Sequence, residues 1–363
     1  MLHGKASGML TSNERSPRPQ TFYRPLWHRR AGLLLTLVLL VAPLAGYSQA
    51  GEKVWRIGWL RGVDLPRPAL RDAFRQGLHD LGYVEGQHYV IEYRSGEGDL
   101  EPLPRLATEL ARLPVDVLLT HGSAATLAVR EAISTIPTVF CAMPEPVERG
   151  IVASLARPGG HITGVANASL DFMGGKLFEL LKEVAPQATR VAVLENAAWA
   201  ATQEQTPEGR NRAAARQALQ AAATTLRLQL QHVPVRDPAT ELADVFATLA
   251  RDPVDAFYVW GEQLLLRHRA QIVAHVTQSR RPAIYGNRVF VEAGGLMSYQ
   301  ADDAAMLQRA GHFVGKILQG AKPADLPVEQ PLKYHLAINL KTAQAIGITI
   351  PPSLLVLADE VLQ

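Results

Sequence analysis

The sequence predicts an α/β protein made of two doubly wound halves, each with a parallel sheet at its centre, and three observations carry that prediction. From Val54 onward, short apolar runs alternate with amphipathic segments of helical period. The runs are apolar throughout rather than at every second residue, which marks strands covered on both faces. A Pro/Gly-rich break, "ASLARPGGHITG", interrupts the alternation once, and the same pattern restarts after it.

The first half opens with the strand "VWRIGWL" and the helix "ALRDAFRQGLHDLGY", in which Leu70, Phe74, Leu78 and Leu81 share one face. "YVIEYRSGEG", "VDVLLTHG" and "PTVFCAM" follow as strands, separated by the helices "LEPLPRLATELARL" and "SAATLAVREAI". "RPGGHITG" follows a helix and precedes a strand, the reverse of a dinucleotide-binding turn, so it reads as a crossover. The second half runs from the helix "GGKLFELLKEVAP" through the strands "RVAVLENAAW", "LQLQHVPV", "VDAFYVWGE" and "PAIYGN", each joined to the next by a helical segment. The helix "DDAAMLQRAGHFVGKILQG" and a proline-punctuated tail complete the chain.

The N-terminus is of another kind. "RPLWHRR" precedes the uncharged run "AGLLLTLVLLVAPLAG", and Ser48 and Ala50 supply the small residues of a cleavage site. Residues 1–50 therefore read as a secretory signal peptide cut after about Ala50, with an uncleaved anchor as the alternative. No cysteine follows the run, which argues against a lipid anchor at that point. This leader carries +5 of a chain whose total is +3, which leaves −2 for the remainder. No Lys/Arg run with interleaved aromatics follows residue 50, so nucleic acid is not an expected partner. One cysteine, Cys141, excludes an internal disulfide and thiolate metal clusters, and "TVFCAM" reads as a buried strand with an inert thiol. The eleven histidines show no metal-ligand spacing, so neither a metal nor a cofactor is expected.

Ligands of open α/β sheets bind outside the carboxyl ends of the strands. At one such end, "THGSAAT", Ser123 either caps its own helix or, with the following amides, meets an anion at a helix N-terminus. A Ser123 nucleophile is a third reading, but the second glycine of G-x-S-x-G is absent and no Asp is tied to the downstream His312 or His335. Glu145, held between Pro144 and Pro146, is a candidate carboxylate. Trp260 and Glu262 in "VWGEQ", with Tyr285 and Asn287 in "YGN", could supply a stacking face and polar contacts from the other half, and Trp199 is a weaker candidate.

"FRQGLHDLGYVEGQ", "GGLMSYQAD", "GAKPADLPVEQP" and "INLKTAQAIGITIPPSLL", together with the leader, make the chain resemble the substrate-binding proteins of ABC transporters, in particular the tryptophan/tyrosine-type family. The resemblance spans roughly residues 54–363. It implies a type I periplasmic-binding fold, two Rossmann-like lobes joined by a hinge: residues 54–165 in lobe 1 with a helix from 302–320 returning to it, and 166–290 in lobe 2 with the C-terminal 330–363. It also implies a ligand carboxylate held by Ser123, Ala124 and Ala125. Glu145 and Glu262 depart from the family's usual Asp at both positions, which puts an α-amino acid ligand in question. The expectation is thus a monomeric periplasmic protein without catalytic activity, which passes a small organic ligand, amino-acid-like in the family's pattern, to a membrane permease. A sensor presenting its closed state to a membrane receptor is the alternative.

Overall fold

The structure, a computed structural model, describes residues 53–62, 68–133, 135–167, 170–200 and 207–363, apart from the side chains of 170–172, 199–200 and 207–212. The leader at 1–50 and the Trp199 side chain lie outside the described residues.

In the first half, β1 (Trp55–Arg61), α1 (Pro68–His79), β2 (Tyr89–Ser95), α2 (Leu103–Arg112), β3 (Val117–His121), α3 (Ser123–Ala132), β4 (Thr138–Met143) and β5 (Ile162–Ala166) follow in order. Their strands form a parallel sheet in the order β2-β1-β3-β4-β5. Arg61, His121 and Cys141 stand abreast on three neighbouring strands of it. Strands β3 and β4 are buried almost throughout, as their unbroken apolar runs require.

The second half contains α4 (Leu170–Val184), β6 (Arg190–Asn196), α5 (Ala197–Ala200), α6 (Pro207–Thr225), β7 (Gln229–Val235), α7 (Pro238–Arg251), β8 (Ala256–Val259), α8 (Gln263–Arg267), α9 (Arg269–Gln278), β9 (Ala283–Tyr285), α10 (Val289–Glu292) and β10 (Met297–Ala301). After α11 (Asp303–Leu318), the chain adds β11 (Tyr334–Asn339), α12 (Leu340–Ile346), α13 (Pro352–Leu357) and β12 (Glu360–Leu362). The second sheet runs β12-β11-β10-β9-β8-β6-β7. It is parallel except where β11 pairs antiparallel with β10. The helical segment "LLRHRAQIVAHVTQSR" between the strands "VDAFYVWGE" and "PAIYGN" forms two helices, α8 and α9, because His268 leaves the helical conformation between them (φ −100°, ψ 18°).

Helix α11 packs against α1 and its core side chains Leu307, Ala310, Phe313 and Val314 join those of Phe74 and Leu78. The two helices touch backbone to backbone. A methyl group on Gly77 would stand 2.0 Å from the Gln308 carbonyl oxygen, and one on Gly311 2.5 Å from that of Phe74. The C-terminal residues Ala343, Ile346, Ile350 and Leu354 pack into the core of the second sheet. Helix α11 begins at Asp302, whose Oδ1 accepts from the amides of Ala304 and Ala305 at 3.0 Å each. Asp302→Ala is expected to cost about 1 kcal/mol, measured as a lower denaturation midpoint with an unchanged slope.

Candidate functional site

A cleft of about 640 Å³ lies at the carboxyl ends of both sheets, within the size range of small-molecule sites. Its walls include Arg61 at the end of β1, His121 at the end of β3 and Ser123 beyond it, Pro144 after β4 and Asn167 after β5. From the second sheet come Asn196 after β6, Trp260 and Glu262 after β8, and Asn287 after β9. The halves also meet at one edge of the cleft, where Gly62 lies against the Gln263 side chain amide and Gly98 against the aliphatic part of Arg267.

The turn into α3 is built for an open helix end. Gly122, not Ser123, occupies the N-cap, at φ 88° and ψ 162°, a conformation open to glycine and strained for other residues. Its N–H donates to the Cys141 carbonyl at 2.9 Å, and its own carbonyl accepts from the Thr126 amide and hydroxyl. No side chain caps the helix, so the capping reading of Ser123 gives way. The amides of Ser123, Ala124 and Ala125 have no acceptor among the described residues. Such a first turn carries partial positive charge toward the cleft.

Of the eight residues singled out from the sequence, Ser123, Ala124, Trp260, Glu262 and Asn287 line the cleft. Ala125, Glu145 and Tyr285 do not. Ala125 turns its methyl into the core beside Leu60 and Val129, leaving only its amide at the helix end. Glu145 adopts φ 52° in a turn where its carbonyl accepts from the Arg149 amide, and Pro144 and Arg149 reach the cleft instead. The two prolines therefore do not hold it extended, because the turn's own hydrogen bonds outweigh the preference of a residue before proline. Tyr285 is fully buried as the last residue of β9, stacked on Phe290 at 5.0 Å, with its hydroxyl acidity suppressed by burial. Gly286 then turns the chain so that Asn287 faces the cleft.

On the opposite wall Glu262 is the N-cap of α8: its carboxylate accepts from the Leu265 amide at 2.9 Å and the Leu264 amide at 3.2 Å. Asn196 Nδ2 approaches the same carboxylate at 3.5 Å, while Asn196 Oδ1 accepts from the Ala198 amide. Trp260 is nearly buried, tilted on Tyr258 at 5.3 Å, and presents an edge of apolar surface. Asn287 Oδ1 accepts from the Val289 amide at 3.1 Å. Where the chain passes between the sheets, Gln300 accepts from the Arg288 amide at 2.6 Å and donates to Asp303 at 3.0 Å, tying the end of β10 to the start of α11.

His312 faces Asp80 at 3.3 Å and His335 faces Glu360 at 4.0 Å, so neither proposed partner of a Ser123 nucleophile is directed at it. No group of three or more metal-ligating side chains occurs among the described residues. Sequence reasoning marks the strand ends "LRGVD", "ENAAW" and "VWGEQ" without naming Arg61, Asn196 or Gln263, and it misses Asn167 and Asp303. Their common signal is position, at the end of a strand, just beyond one, or at the start of α8 or α11, rather than any motif.

Two sheets, parallel but for the β10–β11 pair, whose carboxyl ends line a single cleft define a two-lobed solute-binding architecture of the type I periplasmic-binding class. Residues 66–362 match the family described as ABC transporter substrate binding protein, and the chain belongs to that family. A tyrosine-binding protein of Clostridioides difficile (strain R20291) is 23% identical over 329 residues, covering 86% of this chain and 91% of the relative. A Streptococcus pneumoniae ABC domain solved in complex with L-Trp is 26% identical with a TM-score of 0.72, over 85% of this chain and all of that one. A conserved domain protein from Vibrio cholerae is 25% identical with the same TM-score and the same coverage.

Proposed function

We propose that this chain is the extracytoplasmic solute-binding component of an ABC uptake transporter, closing its two lobes on a small organic ligand of amino-acid size and presenting that state to a membrane permease. The observation that carries this reading is the cleft itself, with open α3 amides on one wall and Trp260, Glu262 and Asn287 on the other. A ligand shifts an open-to-closed equilibrium only by binding the two states unequally, and contacts to both walls provide that difference. The pneumococcal and clostridial relatives, one seen with L-Trp and one named for tyrosine, supply the size class. The leader at residues 1–50 is consistent with export to the periplasm.

The test is a melting-temperature screen of protein purified from full-length expression against amino acids, amides, nucleosides and small carboxylates. A binder present at one hundred times its Kd adds about 2.7 kcal/mol to stability. Ser123→Asp places a carboxylate at the first turn of α3, where it suits the helix dipole and occupies the anion position. We expect this variant to match or exceed the ligand-free melting temperature of the wild type and to lose the ligand-induced rise. A retained rise excludes the α3 amides as a ligand contact, and a screen without any rise, with no small molecule carried in native mass spectrometry, overturns the solute-binding reading.

A further inference from the structure

Arg61 ends β1 and lines the cleft. The residue is 8% exposed, and among the described residues nothing accepts a hydrogen bond from its guanidinium and no carboxylate pairs with it. A guanidinium held in a cleft wall with no acceptor among the described residues is placed to receive an anion from the cleft. Register places Arg61 directly beside His121, two residues before Ser123, so its charge and the open amides of α3 belong to one wall. Arg149 adds a second guanidinium there.

The acids around the cleft are otherwise engaged or distant. Asp303 accepts from Gln300 Nε2 at 3.0 Å. Glu131 stands exposed at the end of α3. Glu262 is occupied by the first amides of α8, and Glu145 lies off the cleft. On this side Arg61, Arg149 and the α3 amides line the cleft, while the acids of the lining either stand exposed at the end of α3, as Glu131 does, or already accept hydrogen bonds, as Asp303 and Glu262 do.

Resting on the solute-binding reading, we infer that the ligand is an organic acid of net negative charge, its carboxylate held jointly by Arg61 and the α3 amides, rather than a zwitterionic amino acid. Arg61 is then a specificity-determining residue. A guanidinium delivers paired hydrogen bonds to a carboxylate, the geometry in which charge-assisted bonds are strongest.

Calorimetric titration with matched probes tests this: L-tyrosine against 3-(4-hydroxyphenyl)propionate, L-tryptophan against indole-3-propionate, and succinate and benzoate as smaller acids. The wild type is expected to bind at least one acid, and any acid in a matched pair tenfold or more tightly than its amino acid. Arg61→Gln should weaken the bound acid by on the order of 30-fold, as for loss of a charge-assisted pair. The same substitution should leave the ligand-free melting temperature unchanged or higher, since it removes a charge with no partner among the described residues. A fall in that temperature would assign Arg61 a structural partner and overturn the inference. Amino acids binding as tightly as their des-amino counterparts, or an acid indifferent to Arg61→Gln, would overturn it while leaving the solute-binding reading intact. No binding by any probe would count against both.

Discussion

Gly77→Ala is expected to destabilise the protein by about 3 kcal/mol, lowering its melting temperature by roughly 6–12 °C. The new methyl would lie 2.0 Å from the Gln308 carbonyl oxygen and 3.1 Å from the Gly311 Cα, so relief requires the backbones of α1 and α11 to separate. Separation opens space around Phe74, Leu78, Leu307 and Phe313, all buried at this interface, so a steric cost becomes a packing cost. Gly311→Ala meets the Phe74 carbonyl from the other side and should act in the same direction. The two substitutions relieve one another once the helices have parted, so the double variant should fall short of their sum. Because α11 carries Asp303 to the cleft and is tied to β10 through Gln300, ligand affinity should fall as well. An unchanged melting temperature in a thermal melt would show that the helices do not cross this closely.

Glu195→Ala is expected to cost about 2–3 kcal/mol at neutral pH. Glu195 is fully buried near the end of β6, where its carboxylate accepts from the Arg216 guanidinium and lies 3.3 Å from His232 Nδ1. Loss of one partner of a buried pair costs roughly 3–5 kcal/mol. Arg216 and His232 are each about one-third exposed, so water reaches them and moderates the loss. Burial alone would push the Glu195 carboxyl upward, but hydrogen bonds and charge from His232 and Arg216 hold it below its ordinary value. A carboxyl depressed in the folded state contributes stability that is complete above its unfolded value and lost as pH falls through the folded one. Denaturant unfolding of the wild type should therefore weaken below about pH 4.3, the ordinary glutamate value, and Glu195→Gln should show a shallower decline there. Identical acid profiles would place the carboxylate outside this network. Since Asn196 follows directly, the network also steadies a residue of the cleft wall.

Much of the fold was legible because strand burial leaves a direct trace in composition. "VDVLLT" and "TVFCAM" are apolar since both faces of β3 and β4 are covered, and the helices between them show their buried stripe at helical spacing. The later elements were less legible. Strands β11 and β12 lie in a tail whose pairing depends on contacts with β10, and α8 separates from α9 at a single residue with no helix-breaking chemistry. Long-range pairing has no local signature.

The site divides in the same way. Ser123, Trp260 and Asn287 were found because strand ends are readable from the chain and ligands gather there. Glu145 and Tyr285 were named on residue type and neighbours, but the direction of a side chain is set by a turn's hydrogen bonds and by which face of a sheet is covered. Arg61 is marked in the chain only as part of the strand end "LRGVD"; its burial appears only when β1 stands beside β3 in the folded sheet.

By itself, then, the sequence determined two doubly wound halves, a leader-like N-terminus and the strand ends where a ligand would meet the protein, properties carried by local composition and periodicity, and its motifs carried the resemblance to the family. Only the tertiary structure decided that Gly122 leaves the α3 amides open, that Glu262 is a helix cap, and that Arg61 lines the cleft at 8% exposure with no acceptor among the described residues. Those properties depend on what folding places next to each group, which no stretch of sequence encodes alone.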